Sequence, residues 1–308
     1  MRKHKKRTGE ALIICTVLLA LVLPWKAISK TEKEAAVWEN RMPLTAWAPE
    51  TPESMVFSKE GIVMDVSYAD SGYVMIQYNG SNPGIKVQIT RNTTYTYDLN
   101  LRNGYEIYPF TEGNGSYSIK VFENISGNQY SQLMSQTIFV SLSNEFQPFL
   151  VPNQYVNFRS DSMAVVLAAQ LAVGKNQLDT VNAVYQYVTS NITYDYAKAQ
   201  SVRSGYLPDI DKTLQDKKGI CFDYAALMAA MLRSQNIPTK LVIGYAGDVY
   251  HAWVSVFIKE RGWIDNLIWF DGEHWSYIDP TFMATGKNSQ SVRRFVGNSS
   301  NYVEMYAY

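Results

Sequence analysis

The stretch Lys218-Gly219-Ile220-Cys221-Phe222-Asp223-Tyr224-Ala225, continued by Ala226-Leu227-Met228-Ala229-Ala230-Met231-Leu232-Arg233-Ser234-Gln235, decides how this chain is read. Tyr224, Leu227, Met228, Met231 and Leu232 recur at helical steps, alanines fill the positions between, and Asn236 and Pro238 stop the run. The pattern predicts a helix over 221–235. A glycine-containing loop leads into it, and the cysteine stands at its first turn. Unpaired amides and the positive end of the helix dipole favour a thiolate at that position. The same amides can hold the negative oxygen that forms when sulfur attacks a carbonyl carbon. Gly219 lets the chain approach closely.

Working outward, Val181, Val184, Tyr185, Val188 and Ile192 fall on one helical face behind Asp179, which is placed to cap that helix. Downstream, Thr239–Tyr245, His251–Ile258 and His274–Asp279 read as strands. Helices followed by strands give an α+β arrangement, with helices on one side of an antiparallel sheet. A thiolate nucleophile needs a proton acceptor, and that acceptor needs an orienting group on its other nitrogen. His251 opens one strand and Asp279 closes another. Antiparallel pairing of 251 with 279 would set Trp253 opposite Tyr277 and bring the imidazole and carboxylate within reach. Asp271-Gly272 is also a good hairpin turn, and a tight hairpin there would pair 273–279 with 264–270 instead. Taken singly, each residue has an ordinary reading: a cysteine in an Ala/Met helix as a small buried hydrophobe, a strand histidine as core or surface, an Asp before Pro as a turn former. His274 reads as a solvated residue beside a turn, and Asp209 and Asp211 as solvated loop acids too few for a calcium site.

These motifs resemble the transglutaminase-like superfamily. The resemblance covers 144–308 and rests on Lys218–Ala225, Ala229–Thr239, Gly244-Tyr245, His251-Ala252-Trp253 and Tyr277-Ile278-Asp279-Pro280-Thr281. It implies a papain-like fold, a Cys221 nucleophile, a His251 base and an Asp279 orienter, with no cofactor and no metal. It also implies side-by-side His and Asp strands, hence the 251/279 pairing. The implied chemistry is acyl transfer at an amide through a thioester, ending in hydrolysis (protease or amidase) or amine transfer (transglutaminase). A peptide or protein substrate is expected, cell-wall peptides among them. The alternative is a non-catalytic surface scaffold using the same fold.

The preceding region has another texture. From 55 to 143, seven short runs rich in Val, Ile, Tyr and Thr alternate with Gly/Asn/Ser/Pro clusters: Gly61–Tyr68, Tyr73–Tyr78, Ile85–Thr90, Thr94–Leu99, Tyr105–Phe110, Ser116–Glu123 and Ser135–Ser141. They predict an immunoglobulin-like β-sandwich. Its polar/aromatic alternation would suit a binding face, although such modules more often serve as spacers or docking elements. Residues 30–54, with Pro43, Pro49 and Pro52, read as a linker. Residues 1–29 combine the basic block Arg2–Arg7 with the apolar run Ala11–Leu23, the pattern of a signal peptide or N-terminal membrane anchor, and hence of export.

Composition sets outer bounds. The 308 residues carry 28 Lys+Arg against 28 Asp+Glu and are 46% hydrophobic, which excludes disorder and argues against a nucleic-acid binder. The leader holds six Lys/Arg and one acid, so the remainder has 22 bases and 27 acids, a net of −5. The exported body therefore has no electrostatic pull towards anionic membranes. Of the two cysteines, Cys15 leaves with a cleaved leader and Cys221 stays as a lone thiol, a liability outside the cell unless buried or used.

Overall fold

The computed structural model describes residues 51–100, 104–246, 248–259, 261–264, 268–270, 275–277 and 302–308. The predicted leader, most of the predicted linker, His274 and Asp279 lie outside the described residues.

The upstream region folds as Val56–Lys59 (β1), Ile62–Asp65 (β2), Tyr73–Tyr78 (β3), Ile85–Thr90 (β4), Thr94–Leu99 (β5), Glu106–Pro109 (β6), Gly115–Ser126 (β7) and Gln129–Val140 (β8). They form two antiparallel sheets, β1-β2-β3-β6 and β5-β4-β7-β8. Strict alternation drives the pairing: Tyr95, Tyr97 and Leu99 point inward while Thr94, Thr96 and Asp98 point out. The two inner faces share one apolar core, and Tyr97 of one sheet meets Tyr108 of the other edge-on at 4.9 Å. Strands β3, β4 and β5 fall where the sequence predicts them. Strand β1 is additional. Its largely exposed Val-Phe-Ser-Lys carries no alternation, and it forms through a two-residue turn in which Glu60 and Gly61 both take positive φ, 49° and 79°. The predicted 61–68 strand is shortened to β2, by that turn at its start and by the chain leaving the sheet after Asp65 towards a single 3-10 turn over Ala69–Ser71.

The downstream half contains Met163–Ala172 (α1), Gln177–Asn191 (α2), Thr193–Tyr194 (β9), Tyr196–Ser201 (α3), Ile210–Asp216 (α4), Lys218–Gly219 (β10) and Cys221–Ser234 (α5). Strands Thr239–Ala246 (β11), Val249–Ile258 (β12), Gly262–Ile264 (β13), Ile268–Phe270 (β14), Trp275–Tyr277 (β15) and Tyr302–Ala307 (β16) follow. The principal sheet is antiparallel in the order β13-β12-β11-β16. Helix α5 lies between α1, α2 and α4 on one side and β11 and β12 on the other. From Asp223 to Ser234 every residue of it is buried, so its alanines are not filler on a solvent face. They are where neighbouring helices approach. This is the expected α+β arrangement, preceded by an all-β region.

Two expectations are corrected. The cap of α2 is Asn176, whose side chain accepts the Asp179 amide at 2.9 Å; Asp179 sits inside the first turn and accepts from Asn176 Nδ2 at 2.8 Å. Among the described residues Trp253 and Tyr277 are not register partners, and Tyr277 pairs with Ile268 between β14 and β15; the expected pairing of 251 with 279 itself lies outside the described residues. Strand β12 instead takes β13 as its neighbour, over 256–258.

The two halves share their core. Tyr155 stacks on Tyr97 at 5.8 Å, and Tyr308 meets Tyr155 at 4.5 Å and Tyr97 at 5.9 Å. Arg233, at the end of α5, is buried and donates to the carbonyls of Thr239 (2.9 Å), Val151 (2.7 Å) and Tyr308 (2.6 Å). Burial lowers its guanidinium to about 9.

Candidate active site

Cys221 is the first residue of α5, and its entry is built tightly. Strand β10 runs parallel to β9, pairing Gly219 with Tyr194, and the Asp195 amide donates to the Gly219 carbonyl at 2.8 Å. A Cβ on Gly219 would lie 2.7 Å from the Asp223 Cβ, so only glycine fits. The Ile220 amide donates to Asp223 Oδ2 at 2.8 Å, which satisfies one amide at the helix start. Asp223 is fully buried and also receives the Lys198 ammonium at 2.6 Å and the Tyr206 hydroxyl. Lys198 lies 4.3 Å from the Tyr206 ring centre. One carboxylate therefore clamps α3 and the chain after it onto the start of the nucleophile helix.

The Cys221 thiol is a free, partly buried group. Backbone amides of Ala252, Phe222 and Cys221 itself act on the sulfur and pull its pKa down. Burial is the larger effect and pushes the thiol up; the Asp223 carboxylate adds to that. Burial thus opposes the stabilisation of a thiolate expected at a helix start. Desolvation outweighs the dipole here.

His251 stands on β12 opposite Gly244 of β11. It is buried, its Nε2 has no hydrogen-bond partner, and burial pushes the imidazole down to about 4. Strand alternation sets His251 with Trp253, whose ring stacks on it at 6.3 Å, while Ala252 and Val254 join the core with α5. A Cβ on Gly244 would strike the Val303 carbonyl at 2.0 Å, so glycine lets β16 close against β11 beside this histidine.

Cys221 and His251 border one cleft of about 680 Å³, together with Ala252, Tyr250, Tyr194 and Tyr206. No hydrogen bond joins the thiol to the imidazole. Asp279 lies outside the described residues. Asp209 is exposed, as expected, and caps α4 by accepting the Lys212 amide at 2.9 Å; Asp211 is half-buried in the first turn of α4 and accepts the Ala164 amide at 3.1 Å. Sequence reading missed the Asp223–Lys198–Tyr206 cluster. Its signal was Asp223 at the third position of a helix, a capping-box site. Among the described residues, no three His, Cys, Asp or Glu side chains gather to hold a metal ion.

A helix-start cysteine on an α5–β11–β12 core, opening to a cleft beside a strand histidine, defines a cysteine-bearing α+β domain. Residues 166–266 match the family model of the transglutaminase-like superfamily. The UPF0252 protein MJ1282 of Methanocaldococcus jannaschii is 27% identical over 61% of this chain and 57% of its own length. A protein-glutamine gamma-glutamyltransferase of Pseudomonas aeruginosa is 28% identical over 30% of this chain and 15% of its own. The chain thus spans little more than half of the first of these relatives and a small part of the second. The solved periplasmic domain of TgpA from Pseudomonas aeruginosa is similar at 16% identity over 73% of this chain and 97% of that domain, with a TM-score of 0.33.

Proposed function

We propose that the protein is an exported, cysteine-dependent acyl-transfer enzyme acting on amide bonds of peptides, proteins or cell-wall peptides. The position of Cys221 at the first turn of a buried helix, bordering the same cleft as His251, carries this reading. As Cys221 attacks the amide carbon, the sulfur–carbon bond forms and the thiol proton passes to His251. The Cys221 amide helps hold the oxyanion. His251 then returns the proton to the departing amine, and the C–N bond breaks to leave a thioester. Water or a second amine resolves it. His251 is neutral at rest, as a base must be. The thiol–imidazole hydrogen bond that this step needs forms on substrate binding, a tightening that unliganded sites commonly require. Asp279 is assigned the role of orienting the imidazole. Export rests on the basic and apolar pattern of residues 1–29.

The test is to incubate the protein with a Gln-containing peptide and a small primary amine, following ammonia release, amine incorporation and peptide cleavage. Wild type is expected to give one of these products, identifying transferase or hydrolase, and Cys221→Ala none. Product formation that survives in Cys221→Ala, or no product from wild type and a thiol inert to iodoacetamide, overturns the reading in favour of a scaffold.

A further inference from the structure

The cleft is not enclosed by the downstream domain alone. On one side it is lined by Lys86, Thr96 and Asp98 of the upstream β-region. These side chains stand on the outer face of β4 and β5, where Lys86 and Asp98 are register partners joined by a 2.5 Å ion pair. The wall is held to the domain that carries Cys221. Gln154 Nε2 donates to the Asp98 carbonyl at 2.5 Å and to Glu106 Oε2 at 2.6 Å, and the next residue, Tyr155, stacks on Tyr97 and packs against Phe222 at 5.5 Å. Phe222 directly follows the nucleophile.

We propose that the outer face of β4 and β5 is part of the substrate-binding surface. A polypeptide substrate lies across the cleft with its reacting carbonyl at Cys221 and its flanking side chains against Lys86, Thr96 and Asp98. This rests on the acyl-transfer reading and extends it to the upstream module. The cleft volume of about 680 Å³ falls in the range of roughly 300–1,000 Å³ that encloses a drug-sized ligand, far more than one amide side chain needs. Its lining pairs tyrosine rings with polar and oppositely charged groups, which suits a mixed polypeptide better than a lipid or a polyanion. Recognition falls to side chains here, because Gln154 and Asn100 both already occupy the Asp98 carbonyl on the free edge of β5.

The experiment measures the rate at which Cys221 of the full chain is alkylated by iodoacetamide, by a single-residue chloromethylketone and by a pentapeptidyl chloromethylketone, read by mass spectrometry. In wild type the pentapeptidyl reagent should react about tenfold or more faster than the single-residue one, because remote contacts add binding energy. Thr96→Arg and Asp98→Arg, at exposed positions, should reduce that ratio to about twofold or less. Thermal melts of both variants verify folding, and if one fails to fold the other decides. Variants that keep the wild-type ratio, or a wild type with no length advantage despite a reactive thiol, overturn the assignment. A thiol inert to iodoacetamide instead removes the acyl-transfer reading beneath it.

Discussion

At the scale of single residues, His251 combines burial, an unpartnered Nε2 and a low pKa. Folding lowers its imidazole from about 6.5 to about 4, so the unfolded chain binds the proton more tightly between these values. Its contribution to stability is complete above pH 6.5 and lost as pH falls through 4. The loss amounts to about 3 kcal/mol. Urea midpoints measured from pH 7 to 4 should fall more steeply for wild type than for His251→Leu; parallel curves would contradict a buried neutral imidazole. For Asp279, the proposed orienting role predicts that Asp279→Asn keeps iodoacetamide labelling of Cys221 but lowers turnover by orders of magnitude. Full turnover in that variant would remove Asp279 from the mechanism.

At the scale of elements, the start of α5 is governed by Asp223, whose carboxylate is shared among the Ile220 amide, Lys198 and Tyr206. The Asp223 carboxylate pushes the Cys221 thiol up, and the Lys198 ammonium paired with it at 2.6 Å offsets the acid. Removing that offset with Lys198→Met should raise the thiol pKa and slow iodoacetamide labelling about threefold at neutral pH. Asp223→Asn should move the titration the other way. A pH profile of labelling separates this from simple loosening, which would speed both variants alike. Helix α5 and strands β3, β4 and β5 were legible because each has one strong period bounded by a stop signal, Asn236-Pro238 in one case and Gly/Asn clusters in the others. Strand β1 was not, for it pairs at an exposed edge where no alternation is needed. Asn176 was overlooked as a cap because Asp179 is an equally good residue type three positions on. Cys221 stands at the predicted helix start, and the burial that pushes its thiol up is a property of the packed molecule that the local sequence does not carry.

At the scale of the whole molecule, Arg233 and the tyrosines join what the sequence divides into two bodies. The Arg233 guanidinium is the donor for three carbonyls drawn from the Val151 segment, β11 and the Tyr308 position. Arg233→Met would orphan all three inside the core and should cost about 3 kcal/mol or more, seen as a lowered urea midpoint. The same connection predicts one cooperative melt, reported alike by near-ultraviolet dichroism of the tyrosines and by exposure of Cys221 to a thiol reagent. Two separated transitions would show that the halves unfold independently.

The stacked rings of Tyr97, Tyr155 and Tyr308 also bear on how such a protein can diversify. A module tethered by a loose string can be exchanged for another by recombination without regard to its neighbour. Here an incoming module would have to supply an aromatic ring in the right place as well as a tolerable outer surface. The two halves are therefore expected to change by matched substitutions and to be inherited as a unit.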